Sequence, residues 1–65
     1  MKIRVTWNMK NGDAAAVEIP VNPNDPRKDD EELQAAKAKA AASVHFKNKY
    51  GDTPQSNDLL IQVIR

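Results

Sequence analysis

Polar and apolar residues alternate from Lys2 to Met9, with Ile3, Val5, Trp7 and Met9 on one side and Lys2, Arg4, Thr6 and Asn8 on the other. A period of two predicts a strand, residues 2–9, buried on one face. A second alternating run, Ala14 to Val21, carries Val17, Ile19 and Val21 as its apolar set. Lys10-Asn11-Gly12-Asp13 lies between them and reads as a hairpin turn. Parity chooses the turn. A two-residue Asn11-Gly12 loop would set Val5 opposite Glu18 and put the two apolar sets on opposite faces. A three-residue loop, Lys10 to Gly12, sets Val5 opposite Val17 and Ile3 opposite Ile19, so both sets share a face. The expected turn is therefore type I, with Gly12 in the left-handed region forming a G1 bulge.

Asn22-Pro23-Asn24-Asp25-Pro26 ends the second strand, because each proline holds its predecessor in extended backbone. Asp25-Pro26 reads as an N-cap followed by proline at the first helical position, and Asp29 to Glu32 place four carboxylates at the favourable end of a helix dipole. Leu33 to Tyr50 has no Gly or Pro and six alanines, Lys47 and Lys49 suit a last turn, and Gly51 suits the stop. A helix over about 27–50 is predicted, with its start at Pro26 or nearer Asp30 and its end near Tyr50. A polar loop leads to Leu59-Leu60-Ile61-Gln62-Val63-Ile64, a third strand over 59–64. A right-handed crossover from the second strand to the third gives an α+β fold of ββαβ type. Its three-stranded antiparallel sheet has order 2-1-3, one long helix packs on one face, and residues 1–65 form a single small domain.

Two stripes compete on the helix. Leu33, Ala36, Ala40, Ser43, Val44 and Lys47 form the one expected to face Trp7, Val5, Val17 and Ile61. The other, Ala35, Ala38, Ala42, His45 and Phe46, then points away from the sheet. Two readings of that second stripe stand. Alanine is either filler, with Phe46 curling toward the core edge, or it forms a flat docking surface with Phe46 as anchor and His45 and Tyr50 at the rim. The docking reading makes Ala35, Ala38, Ala42, His45 and Phe46 the expected partner-binding residues. Leu60 and Ile64, on the uncovered side of the sheet, are the second choice. That open face also offers a dimer contact and so weak self-association, and unpaired backbone on either edge strand offers a further route by taking on a partner strand.

Composition narrows the function. Ten Lys+Arg against nine Asp+Glu leave a net charge of +1, too weak a field to draw nucleic acid or an anionic membrane. Trp7 faces away from Lys2 and Arg4, so it cannot stack bases beside those charges. No apolar run nears the ~20 residues of a membrane span and no targeting signal is present, so a soluble chain is expected, its compartment unknown. Nine of the hydrophobic residues are alanine and there is no Cys, so a small core must hold the fold without cross-links. Reaction chemistry is lacking. His45 has no second ligand at helical spacing, Ser43 points to another face from His45, and Asp29–Glu32 lacks the spaced oxygens and turning Gly of a cation loop. The expected protein is not an enzyme and uses no cofactor or metal.

The turn Lys10-Asn11-Gly12-Asp13, the cap Asp25-Pro26, the acidic first turn, the Ala/Lys-rich helix and the stop Lys49-Tyr50-Gly51 obey local rules almost throughout. In that style the chain resembles a de novo designed strand-strand-helix-strand miniprotein. Many such chains were made as protein binders, so the resemblance implies a protein partner, of unknown identity. A rival resemblance rests on Val17-Glu18-Ile19-Pro20-Val21 ahead of an acidic-started helix, which is similar to phage inhibitors of bacterial RNA polymerase. It implies a small natural inhibitor of a host enzyme. A fold-only design without a partner is the third alternative.

Overall fold

The computed structural model describes residues 1–65 and contains, in order, β1 (Lys2–Asn8), β2 (Ala14–Pro20), α1 (Glu31–Tyr50), one 3-10 turn (Ser56–Asp58) and β3 (Leu59–Ile64). The sheet order is β2-β1-β3, with β1 antiparallel to both neighbours and α1 packed on one face. This is the ββαβ arrangement expected from the alternation and the crossover rule.

The hairpin takes the register that parity demands. Val5 lies opposite Val17 and Ile3 opposite Ile19. The Gly12 N–H donates to the Met9 carbonyl at 3.2 Å, the Met9 N–H donates to the Asp13 carbonyl at 2.9 Å, and Gly12 sits at φ 90°. Those bonds make a three-residue loop closed by a left-handed residue, which an L side chain adopts only with strain. On the other side of β1, Ile3 faces Val63 and Val5 faces Ile61. One face of the sheet therefore collects Ile3, Val5 and Trp7 from the centre and half-buried Ala15, Val17, Ile19, Leu59, Ile61 and Val63 from the edges.

The helix takes the later of its two expected starts. Asp25 does not cap it; its Oδ1 accepts the Arg27 N–H at 2.9 Å, and successive turns join Asp25 N–H to Asn22 O, Lys28 N–H to Asp25 O and Asp30 N–H to Arg27 O. Asp30 is the cap, its Oδ1 accepting the Leu33 N–H at 3.1 Å, so α1 starts at Glu31 rather than near residue 27. Aspartate side chains compete for nearby backbone N–H groups, and the chain stays in turns until the last of them has been used. The C-terminus is as expected, with Gly51 at φ 77° and its N–H on the Lys47 carbonyl at 2.8 Å.

The helix rests on the opposite face from the expected one. Gln34, Ala38, Ala42 and Phe46 are buried, four residues apart and so on one side. Of the stripe assigned to the core, Leu33 and Ser43 are half-buried, Ala36, Ala40 and Lys47 are exposed, and Val44 is 61% exposed. Alanines surround the helix so evenly that pattern gives little contrast, and Leu33 with Val44 tipped the choice wrongly. Side-chain size decides instead. Phe46 has much more apolar surface to bury than Val44, and Trp7 is waiting for it, with ring centroids 5.4 Å apart. The long polar loop closes with Pro54 buried and the Asp58 N–H on the Gln55 carbonyl at 2.9 Å.

Two outcomes follow for stability in urea, read by Trp7 fluorescence. Phe46→Ala should cost about 3–5 kcal/mol, nearly all that a core this small supplies, while Val44→Ala should stay within about 0.5 kcal/mol and tend to stabilise. The reverse ranking would turn the helix back to its aliphatic face. Gly12→Val should destabilise by about 1 kcal/mol or more through backbone strain alone, since no atom lies within 4 Å of an added Cβ.

Candidate functional site

The residues first nominated for binding do not form an outer surface. Ala38, Ala42 and Phe46 lie in the core and Ala35 is half-buried. His45 is exposed, its ring edge-on to Phe46 at 5.6 Å between centroids. Because the helix is turned about half a revolution from expectation, Ala36, Ala40, Val44 and Lys47 of the stripe expected in the core are in solvent, with Leu33 and Ser43 half-buried. Leu33, Ala36, Ala40 and Val44 follow one another at intervals of three and four residues along three turns of α1. Lys37 and Lys47 stand beside this seam, both exposed. Ser43 is committed locally, its Oγ donating to the Lys39 carbonyl at 2.9 Å.

The open face of the sheet is arranged as expected. Thr6 lies between Ala16 and Leu60, Arg4 between Glu18 and Gln62, and Lys2 between Pro20 and Ile64. Leu60 is 52% exposed and Ile64 half-buried. Glu18 bridges two cations across the strands, with Oε2 at 2.9 Å from Arg4 Nη2 and Oε1 at 3.2 Å from Lys2 Nζ. Arg4 first and Lys2 second hold its carboxyl below the usual glutamate range. The centre of this face is thus charged and self-satisfied, and its large apolar side chains, Leu60 and Ile64, are confined to β3.

Two features escaped the sequence reading. One is a cleft of about 420 Å³ where the hairpin turn meets the loop after α1, walled by Trp7, Met9, Tyr50 and Pro54. Its walls come from two stretches far apart in sequence, the end of β1 with the hairpin turn and the end of α1 with the loop after it, and only Pro54 within a polar loop could have hinted at it. The other is the Asp25 network. Gln34 is only 5% exposed, and its Nε2 donates to Asp25 Oδ2 at 3.1 Å and to the Arg27 carbonyl at 2.9 Å. Lys37 Nζ adds a third contact, 3.1 Å from Asp25 Oδ2. The Arg27 N–H, then Gln34, then Lys37 draw the Asp25 carboxyl down from 3.8 to about 2. This network fastens the loop to the helix and satisfies a buried amide. Gln34, the one polar residue in the series 34, 38, 42, 46, was the available signal.

No cluster of three His, Cys, Asp or Glu side chains is placed to hold a metal ion, and no helix is long and apolar enough to cross a membrane. No protein family, curated protein or solved structure matches the chain.

Asp25 makes a pH prediction. A carboxyl whose folded value is depressed adds stability above its unfolded value, near 4, and loses it as the pH falls toward 2. Asp25→Asn keeps an acceptor for the Arg27 N–H but removes the charge. The variant should be less stable than the parent at neutral pH and should lose less between about pH 4 and pH 2. Urea midpoints across that range check it, and parallel curves for the two proteins would remove Asp25 from the account.

Proposed function

We propose that this chain is a non-enzymatic protein-binding module, built in the manner of de novo designed ββαβ miniproteins, that receives a helix of a partner protein along the solvent face of α1. The observation that carries the reading is Val44, a β-branched residue 61% exposed in the middle of a helix. Valine forms helix less well than the alanines around it, and the core makes no use of it. With Leu33, Ala36 and Ala40 it forms an apolar seam whose small side chains allow a second helix to approach near the short end of the usual 8–10 Å. Lys47 beside the seam, which has no ion pair of its own, favours an acidic residue flanking the partner's apolar stripe, while Lys37 is already paired with Asp25. Ser43 is committed to a backbone carbonyl, and His45 stands exposed with the Phe46 ring against it and no hydroxyl or carboxylate hydrogen-bonded to it.

The test is a helical-peptide library selected on the folded protein. Enriched sequences should carry an apolar seam with an acidic flank. Their binding should fall at least tenfold in Ala40→Glu and be unchanged in Leu60→Lys, with circular dichroism confirming both folds. Loss in Leu60→Lys alone would move the site to the open sheet face. Binding indifferent to both substitutions would remove either face from a binding role.

A further inference from the structure

The ladder leaves one row of backbone groups without partners. Met9 N–H bonds to Asp13 O and Val21 N–H to Met1 O, so the odd-numbered residues of β1 and β2 exchange hydrogen bonds. The even-numbered residues of β1 then turn their N–H and C=O groups to Leu60, Gln62 and Ile64 of β3. Leu59, Ile61 and Val63 are left with backbone groups directed away from the sheet, along the free edge of β3.

The two edges differ in protection. The β2 edge ends in Pro20, which has no N–H, and carries the ion-paired Glu18 and three alanines. The β3 edge has no charge, Pro or Gly among its six residues, and five of them are apolar. Strands of that kind are the ones natural sheets guard against pairing. Leu59, Ile61 and Val63 are also only half-buried, although they lie on the core side of the sheet.

We infer that two copies of this chain pair their β3 strands antiparallel about a two-fold axis at Ile61, joining two three-stranded sheets into one continuous sheet. The ends of the strand select this occupant and this direction. Asp58 precedes β3 and Arg65 follows it. Antiparallel pairing sets the Asp58 end of each copy beside the Arg65 end of the other, where Arg65 adds that carboxylate to the Glu31 it already meets in its own chain, whereas parallel pairing would stack like charges. The unpaired row fixes the parity, and pairing all three of its residues with all three of the second copy fixes the register. Leu59 faces Val63 of the second copy, Ile61 faces Ile61, and Leu60 faces Gln62, with about six new backbone hydrogen bonds. The contact adds a strand ladder and little else. It is smaller than the about 1,200–2,000 Å² of a stable interface, and association is accordingly weak, half-complete at about 0.1–1 mM. This inference is independent of the helix-face reading.

Sedimentation equilibrium from about 10 µM to 1 mM should show the mass rising from 7.2 kDa toward twice that value. A synthetic chain N-methylated at Ile61 should stay monomeric throughout, and one N-methylated at Ala16, on the β2 edge, should still dimerise. The chain has no cysteine, so the register can be trapped cleanly. Leu60→Cys mixed with Gln62→Cys and oxidised should give the mixed disulfide about tenfold over either homodimer. The facing positions lie about 4.5 Å apart at Cα, within disulfide reach, while identical positions are about 8 Å apart. A monomer at 1 mM, a dimer that survives N-methylation at Ile61, or dominant homodimer cross-links would each overturn the inference. Ala40→Glu should leave the dimer intact. Its loss there would put self-association on the helix seam and reject the strand pairing.

Discussion

The contact between Trp7 and Phe46, with ring centroids 5.4 Å apart, sets the orientation of the helix, and much else follows from that orientation. Trp7 lies near the end of the central strand and Phe46 one turn from the end of α1, and Tyr50 joins them at 5.9 Å from Trp7 and 6.2 Å from Phe46. Once Phe46 is seated, the residues four, eight and twelve positions earlier must face the sheet as well. Those are Ala42, Ala38 and Gln34. The two alanines let the helix come close enough for Phe46 to reach Trp7. Gln34 brings an amide into the core, and a buried amide without partners is expensive. Asp25 and the Arg27 carbonyl answer it. The loop before the helix is therefore shaped partly by an aromatic contact at the other end of the molecule.

The same dependence explains which parts of the structure were legible in the sequence. Strand register was, because a half-buried sheet has a period of two and a slip of one residue inverts every side chain. Val5 opposite Val17 follows from that parity, and so does the glycine in the turn. The helix face was not. Its contrast lies in the size of one residue, Phe46, against the combined pull of Leu33 and Val44, and six alanines supply no tie-break. A reading that weighed Phe46 with the unpartnered Trp7 first would have turned the helix correctly. The helix start was obscured for a different reason, since Asp25, Asp29 and Asp30 all have cap chemistry and only Asp30 is followed directly by helix. For the candidate site, Leu60 and Ile64 were placed on the correct face. The stripe from Ala35 to Phe46 was nominated for exposure when most of it is core.

Geometry also explains why the edges of this sheet are its least finished part. A helix about 10 Å across covers the central strand of three spaced by about 4.8 Å, and reaches the outer two only in part. Ile3 and Val5 of β1 are accordingly inaccessible, while Val17, Ile19, Ile61 and Val63 remain half-open on the same face. On the opposite face, Glu18 with Lys2 and Arg4 covers the centre and the β2 side with charge, and the β3 side has no equivalent. Arg65 reaches from the end of β3 to Glu31 at the helix start, which ties the strand end to the helix but leaves its outer backbone row free.

Surface and core are unusually separable in this chain. Only 8 of 65 residues are buried, and the large ones among them, Phe46, Trp7, Ile3 and Val5, each carry a substantial share of the stability. Selection for a partner cannot act on those positions without unfolding the protein. Val44 and Leu60 are different, since each is large, apolar and more than half exposed, and neither supports the core. Changes there alter what the surface can bind while leaving the fold alone. A small domain with an alanine-rich helix gains that freedom because the helix holds its shape through propensity and caps, with Phe46 and Tyr50 making its aromatic contacts with the sheet. The solvent face of α1 is thus free to vary without cost to the core.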